Sequence, residues 1–248
     1  MISGSHAPAR AFTSASPKKS PEKTRSTPLD LFVRTNYAHI MIREHLLETA
    51  IRHFGERGFD GASTRSIAAA ADTAMSSITY HFGGKEGLYL ACADYIVDKV
   101  RTRITPLLNT VEVDDSDRSG ATEAVCFLLR GFANTMMSEE AAPWARFVSN
   151  ELQKPTDAFE CIATGAIDLI MAKVVELVGI ARPDLDEIDR RSVAITIWGQ
   201  AIFLRLGRAS IERLLETEAM NAAAADLMID RVVANARCIL TQSPECPQ

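Results

Sequence analysis

The stretch Ser63–Tyr89, STRSIAAAADTAMSSITYHFGGKEGLY, decides the fold. Its first part places Ile67, Ala68 and Ala71 at i, i+1 and i+4, a narrow apolar stripe made of small residues. Ile78 and Phe82 follow one turn apart and can close over that stripe. Gly84-Lys85-Glu86 then marks the start of a third helix. Helices this short bury little separately, so they must pack closely at a steep angle, and alanines permit that approach. A helix-turn-helix has this design, its second helix left exposed for a DNA major groove. An ordinary helical hairpin inside an all-α core fits the spacing equally well.

Working outward, the pattern is helical from Asn36, with Leu47, Ala50, Ile51 and Phe54 at i, i+3, i+4 and i+7. Gly55 and Gly58 bracket the end of that helix, and Ser63 or Thr64 caps the next. Downstream, a long helix passes through Leu88, Cys92, Tyr95, Ile96 and Val100 towards Leu108, long enough to join two domains. Asp114 to Gly120 is a polar break. Beyond it, Ala121–Met137 is strongly apolar, Pro143 opens a short helix, and Thr156 leads into one ending near Gly179. Pro183-Asp184 with Glu187 reads as a capping-box-like start. A last helix covers about Asn221 to Leu240. There is no β pattern of useful length and no repeat, so the chain is all-α.

Three segments emerge. Residues 1–34, rich in Ser, Pro, Ala and Thr, read as a disordered basic arm, a candidate for minor-groove contact. Residues 35–84 read as the helix-turn-helix domain, and residues 85–248 as a second, helical domain. The whole chain carries −5 and its first 34 residues +4, so the remainder carries −9. That balance argues against a general nucleic-acid binder; it suits an acidic body with a locally tuned DNA-reading face and equally an acidic enzyme with a basic tail.

The order T-x-x-I-A-x-x-A, a turn, then I-T-Y-H-F-G-G-K-E-x-L-Y resembles the amino-terminal domain of TetR/AcrR-family transcriptional regulators. Thr64, Ile67, Ala68, Ala71, Ile78, His81, Phe82, Lys85 and Leu88 fall in register, and the likeness runs from about Tyr37 to Tyr95. Asp72 and Ala74 depart from the Gly and Ser common in the family's turn, and Thr79 stands where Tyr is frequent. Asp tolerates a left-handed backbone, so Asp72 is an acceptable substitute. Ala74 cannot cap the recognition helix, which leaves Thr73 as the nearest hydroxyl. Together with FLRLGRASI at 203–211, the ITYHFGGKEGLYLACADYI stretch is most similar to the CecR (YbiH-type) subgroup.

The resemblance implies backbone roles on DNA for Thr64, Tyr80, His81 and Lys85. Thr64 can present a hydroxyl and free amides at a helix start. Met75, Ser76, Ser77 and Thr79 are expected to face the groove, and Arg65 lies beside Thr64 on the same edge. The resemblance also implies a homodimer built on the last two long helices, spacing two recognition helices about 34 Å apart on a palindromic operator. The stripes Val193–Leu204 and Leu227, Val232, Val233, Ala236 and Leu240 suit that interface, and suit an ordinary core as well.

Phe132, Met136, Trp144, Phe147, Trp198 and Phe203 form an aromatic and sulfur-rich set, the candidate lining of an effector site. Arg146, Asn150, Gln200 or Arg205 would supply its polar contacts. All five histidines precede the second domain, so no metal site is expected there, and an organic effector is the better candidate. Five widely spaced cysteines read as reduced thiols. No membrane-length apolar run or signal core appears, which points to the cytoplasm. No nucleophile elbow or Gly-rich phosphate loop appears, so neither enzymatic activity nor a cofactor is expected. The expected function is a ligand-responsive, homodimeric DNA-binding repressor released from its operator by a small organic effector. The alternative is a DNA-binding adaptor acting through protein partners without a ligand.

Overall fold

Leu46, Leu47, Ala50, Ile51 and Phe54 share one face of the first helix and all are buried. That helix, α1, spans Pro28–Gly61 in a computed structural model that describes residues 28–242, with side chains from residue 40 onward. The start at Pro28 makes residues 28–34 helical, where the sequence reading placed the end of a disordered arm; residues 1–27 lie outside the described residues. Gly55 is helical, and only Gly58 breaks the helix, at φ 67° and ψ 175°.

Next come α2 (Thr64–Ala70) and α3 (Met75–Phe82), then α4 (Lys85–Asn109). Gly83 ends α3 at φ 75°, a left-handed cap that a side chain would strain. Gly87 permits the tight passage into α4, since a Cβ there would lie 1.7 Å from the Phe82 carbonyl oxygen. The second group comprises α5 (Arg118–Met137), α6 (Ala142–Gln153), α7 (Asp157–Ile162), a π turn (Ala163–Ile167), α8 (Asp168–Ala181), α9 (Glu187–Leu206), α10 (Arg208–Leu214) and α11 (Ala222–Thr241). Among the described residues there is no strand, so the fold is all-α as expected.

Two starts differ from the sequence reading. The cap of α9 is Asp186, whose carboxylate accepts from Asp189 N; Pro183-Asp184 lies outside the helix. Asp184 instead pairs with Arg182. Neither α10 nor the π turn was anticipated: the first is one short helix after a glycine, and the second continues the hydrogen-bonding of its neighbours. A Cβ at Gly165 in the π turn would sit 2.7 Å from Val97 Cγ1, so this turn lies close on α4.

Two apolar clusters organise the chain. One joins α1–α3 and the first half of α4 to Trp144, Phe147, Ala158, Ile162 and Ala166. The other joins α5, α8, α9 and α11 around residues such as Leu129, Leu177, Ile197 and Val233. Here the stripes expected at a dimer interface are largely absorbed: Ile197, Ala201, Leu204, Val232, Val233, Ala236 and Leu240 are buried inside one protomer. Leu227, from the second of those stripes, stays exposed, as do Ile188, Ile195 and Leu206 on α9.

Candidate nucleic-acid interface and effector cavity

Local signals alone set the start of α2. Ser63 is its cap, accepting a hydrogen bond from Ser66 N at 3.1 Å, so Thr64 is the first helical residue and half-buried. Arg65 beside it is exposed. Asp72 takes the left-handed turn position at φ 49°, as its residue type allows. Thr73 does not cap α3, contrary to expectation. Its hydroxyl donates to Ser77 Oγ at 3.2 Å, and the first amides of α3 lack any side-chain acceptor. Those amides are donors turned towards the exposed side of the head.

Ile78 anchors α3, with 1% of its surface accessible. Phe82 at its end packs against the same core, whereas Met75 is 54% exposed and Tyr80 84%, Ser76, Thr79 and His81 are exposed and Ser77 is half-buried. A tyrosine this accessible contributes almost nothing to the protomer's own packing. His81 meets only the ring edge of Tyr80, with centroids 4.9 Å apart, and Phe82 at 6.2 Å. The ammonium of Lys85 sits 4.6 Å above the Phe59 ring and donates to the Asp60 carbonyl at 3.4 Å. It is held at the junction of α1 and α4, with donors to spare. One cation escaped the sequence reading: Arg43 on α1, whose guanidinium lies 5.6 Å over the Phe82 ring at the end of α3. No motif position marks it, and only packing brings it there.

Farther along, a cavity of about 760 Å³ opens between α4, α5, α6, α8 and α9, with Ile162 of α7 and Ala166 and Ile167 of the π turn also lining it. Four of the six expected aromatic and sulfur residues line it: Phe132, Met136, Trp144 and Trp198. The rings of Phe132 and Trp198 stack at 4.7 Å. Phe147 does not line it. It is fully buried against Tyr89 and Phe54, at centroid distances of 4.6 and 6.5 Å, because its face of α6 meets the head. Phe203 does not line it either. Trp198, Ile202 and Arg205 follow one face of α9 into the cavity, and Phe203, one residue off that face, is 56% exposed.

The polar candidates divide in the same way. Only Arg205 reaches the cavity, while Asn150 donates to the Phe54 and Gly55 carbonyls and Gln200 accepts from Asn235. Arg146 lies beside Glu56. Arg103, Thr135 and Ser149 line the cavity without having been anticipated, and i,i+4 patterning on separate helices held no sign of their convergence.

Between cavity and head, α6 presents two faces. Trp144, Val148 and Leu152 border the cavity, while Phe147, Asn150 and Glu151 bind the head. Glu151 is 2% exposed; its Oε1 accepts from the Tyr89 hydroxyl at 2.6 Å, and its Oε2 from Thr156 N and Oγ1 at 3.0 and 2.8 Å. Burial, reinforced by the hydrogen bond to Glu151, raises the Tyr89 phenol above its ordinary pKa. The same division runs along α4, where Leu88, Tyr89 and Cys92 pack into the head and Val100, Arg103 and Ile104 border the cavity. Among the described residues, no group of three or more His, Cys, Asp or Glu could hold a metal, and no helix is long and apolar enough to cross a membrane.

Comparison with known proteins agrees with this architecture. A profile of bacterial regulatory proteins of the tetR family matches residues 46–92. A profile of the C-terminal domain of the HTH-type transcriptional dual regulator CecR matches residues 121–242. The chain is 30% identical over 175 residues to the HTH-type transcriptional dual regulator CecR of Shigella flexneri, spanning 68% of this chain and 78% of that protein. It is 43% identical over 65 residues to the HTH-type transcriptional regulatory protein RaaS of Mycobacterium tuberculosis, 26% of this chain and 28% of that one. The crystal structure of AibR in complex with isovaleryl coenzyme A and operator DNA shares the fold, with a TM-score of 0.61 at 15% identity over 78% of this chain and 97% of that one. The match to CecR, which spans more than two thirds of both proteins, together with the tetR-family profile over the head that bears the exposed α3, places this chain in the tetR family of bacterial transcriptional regulators, which are not enzymes.

Proposed function

We propose that the chain acts as a homodimeric repressor whose grip on a palindromic operator is lowered when a small organic effector fills the cavity. Thr64, Arg65, Met75, Ser76, Ser77, Thr79, Tyr80, His81 and Lys85 are the proposed DNA contacts. Tyr80, His81, Thr64 and Lys85 hold phosphate, and the short side chains of α3 face the base edges. AibR carries both an acyl-coenzyme A and operator DNA, and that pairing motivates the same division of labour here.

The single observation that carries this reading is the shared use of α4 and α6. Both helices wall the cavity and both are cemented into the head. An occupant that displaces Trp144 or Arg103 moves helices whose other faces hold Phe54 and Tyr89, so the two heads of a dimer change their separation. A ligand-free adaptor would have been favoured by a filled core; a 760 Å³ space weighs against it.

Mobility-shift titrations test the DNA half, using a duplex selected by the protein from a randomised pool. Tyr80→Ala and Lys85→Ala should each weaken binding by about tenfold or more with helicity unchanged, the scale of a lost charge-assisted phosphate contact. Undiminished binding by both variants would remove α3 and its flank from the interface.

A further inference from the structure

The half-buried charges facing the cavity are of one sign. Arg205, on α9, donates through Nε to the Met136 carbonyl at 2.5 Å and through Nη2 to the Ser138 carbonyl, both at the end of α5. Among the described residues no carboxylate pairs with it; nearby Glu139 is engaged by Arg208. Arg103, on α4, lies 4.8 Å over the Trp144 ring and forms an ion pair with Glu140, which is exposed. Glu140 follows Ser138 by two residues, so the two guanidiniums share the end of the cavity formed by the α5 terminus. The other charged lining residues, Asp168 and Arg191, are exposed, and Arg191 is paired with Glu187. Thr135 and Ser149 add uncharged polar groups to a lining that is otherwise apolar or aromatic, Ile170, Met171, Val175 and Ile195 among it.

We propose that the effector is an amphiphilic organic anion, its carboxylate or comparable acidic head against Arg205 and Arg103 and its apolar body between Trp144, Trp198 and Phe132. This deepens the effector reading above and rests on it. Two uncharged carbonyls leave a guanidinium short of counter-charge, and Arg205 keeps N–H donors beyond the two they take. Desolvation pulls the Arg205 pKa below its ordinary value, a cost that an incoming anion relieves. The volume lies in the range that encloses a drug-sized ligand, and the apolar lining supplies most of its affinity.

The chain's only two tryptophans, Trp144 and Trp198, both line the cavity, so intrinsic fluorescence reports its occupancy without a label. Decanoate, decanol and decyltrimethylammonium, each below its micellar range, are titrated against the full-length protein. Decanoate should bind about tenfold or more tightly than the alcohol, and the cation should bind weakest. Arg205→Gln should erase the preference while leaving decanol binding intact, and Arg205→Lys should keep most of it. If Arg205→Gln fails to fold, Arg103→Gln should reduce the same ratio, and the wild-type ratio stands as a test by itself. Equal affinity for the anion and the alcohol, preference for the cation, or no binding of any of the three overturns the anion assignment. The first of these outcomes leaves an apolar effector and the second a cationic one, and either leaves the function proposed above in place.

Discussion

The head and the bundle differ in how they fill space. Around Phe54 the rings of Phe59, Tyr89 and Phe147 pack at centroid distances of 4.6–6.5 Å, and Phe54 and Phe147 are fully buried. The bundle encloses about 760 Å³ bounded by Trp144, Trp198, Met171 and Val175. Close packing fixes one geometry, as a platform for presenting α3 requires. Empty space leaves contacts unmade and therefore available to a ligand. The contrast teaches that rigidity and responsiveness are kept in separate places, with α4 and α6 spanning both.

Deletions of similar size should therefore cost different amounts on the two sides. Phe147→Ala, at the most crowded point, should lower stability by about 3–5 kcal/mol, seen as a large drop in the melting temperature. Glu151→Ala should cost roughly 2–3 kcal/mol, because it leaves the Tyr89 hydroxyl and the Thr156 amide without their acceptor. Met171→Ala should cost only about 1–2 kcal/mol, since part of its surface already faces the cavity. Urea titrations of the three variants check the order. A Met171→Ala loss as great as that of Phe147→Ala would erase the contrast.

The smallest effect belongs to the surface. Glu123 is held below its ordinary pKa chiefly by its hydrogen bond to Arg237, which ties α5 to α11. Because the folded pKa is depressed, the contribution is present at neutral pH and fades as the pH falls through the carboxylate range. Glu123→Gln should thus melt slightly below the wild type at pH 7 and level with it near pH 3. Exposed pairs of this kind contribute little, and a large loss at pH 7 would mean that α11 depends on the pair.

The same contrast explains what could be read from the chain alone. The reading part of the head is local: the Ser63 cap, the left-handed Asp72, the Gly83 stop and the buried pair Ile67 and Ile78 all lie within one segment, residues 63–83. Each leaves a local trace in residue type and spacing. The cavity draws on six helices and the π turn, spread over more than 100 residues, so Arg103, Thr135 and Ser149 gave no sign of meeting there. Phe147 and Trp144 are one turn apart on α6 and equally aromatic; only the location of the head decides that one is cemented and the other shared with the cavity. Phe203 was read from its ring, whereas its angle on α9, one residue past Ile202, sends it to solvent. The apolar stripes of α9 and α11 were legible as stripes, but most of their residues close the protomer's own core.

The coupling of head to cavity through α4 and α6 can be tested directly with DNA alone. Tryptophan occurs only in the cavity lining, so adding the selected duplex to ligand-free protein should alter the emission of Trp144 and Trp198 in step with the fraction bound. Emission that stays constant to saturation, while mobility shifts show full binding, would contradict the account.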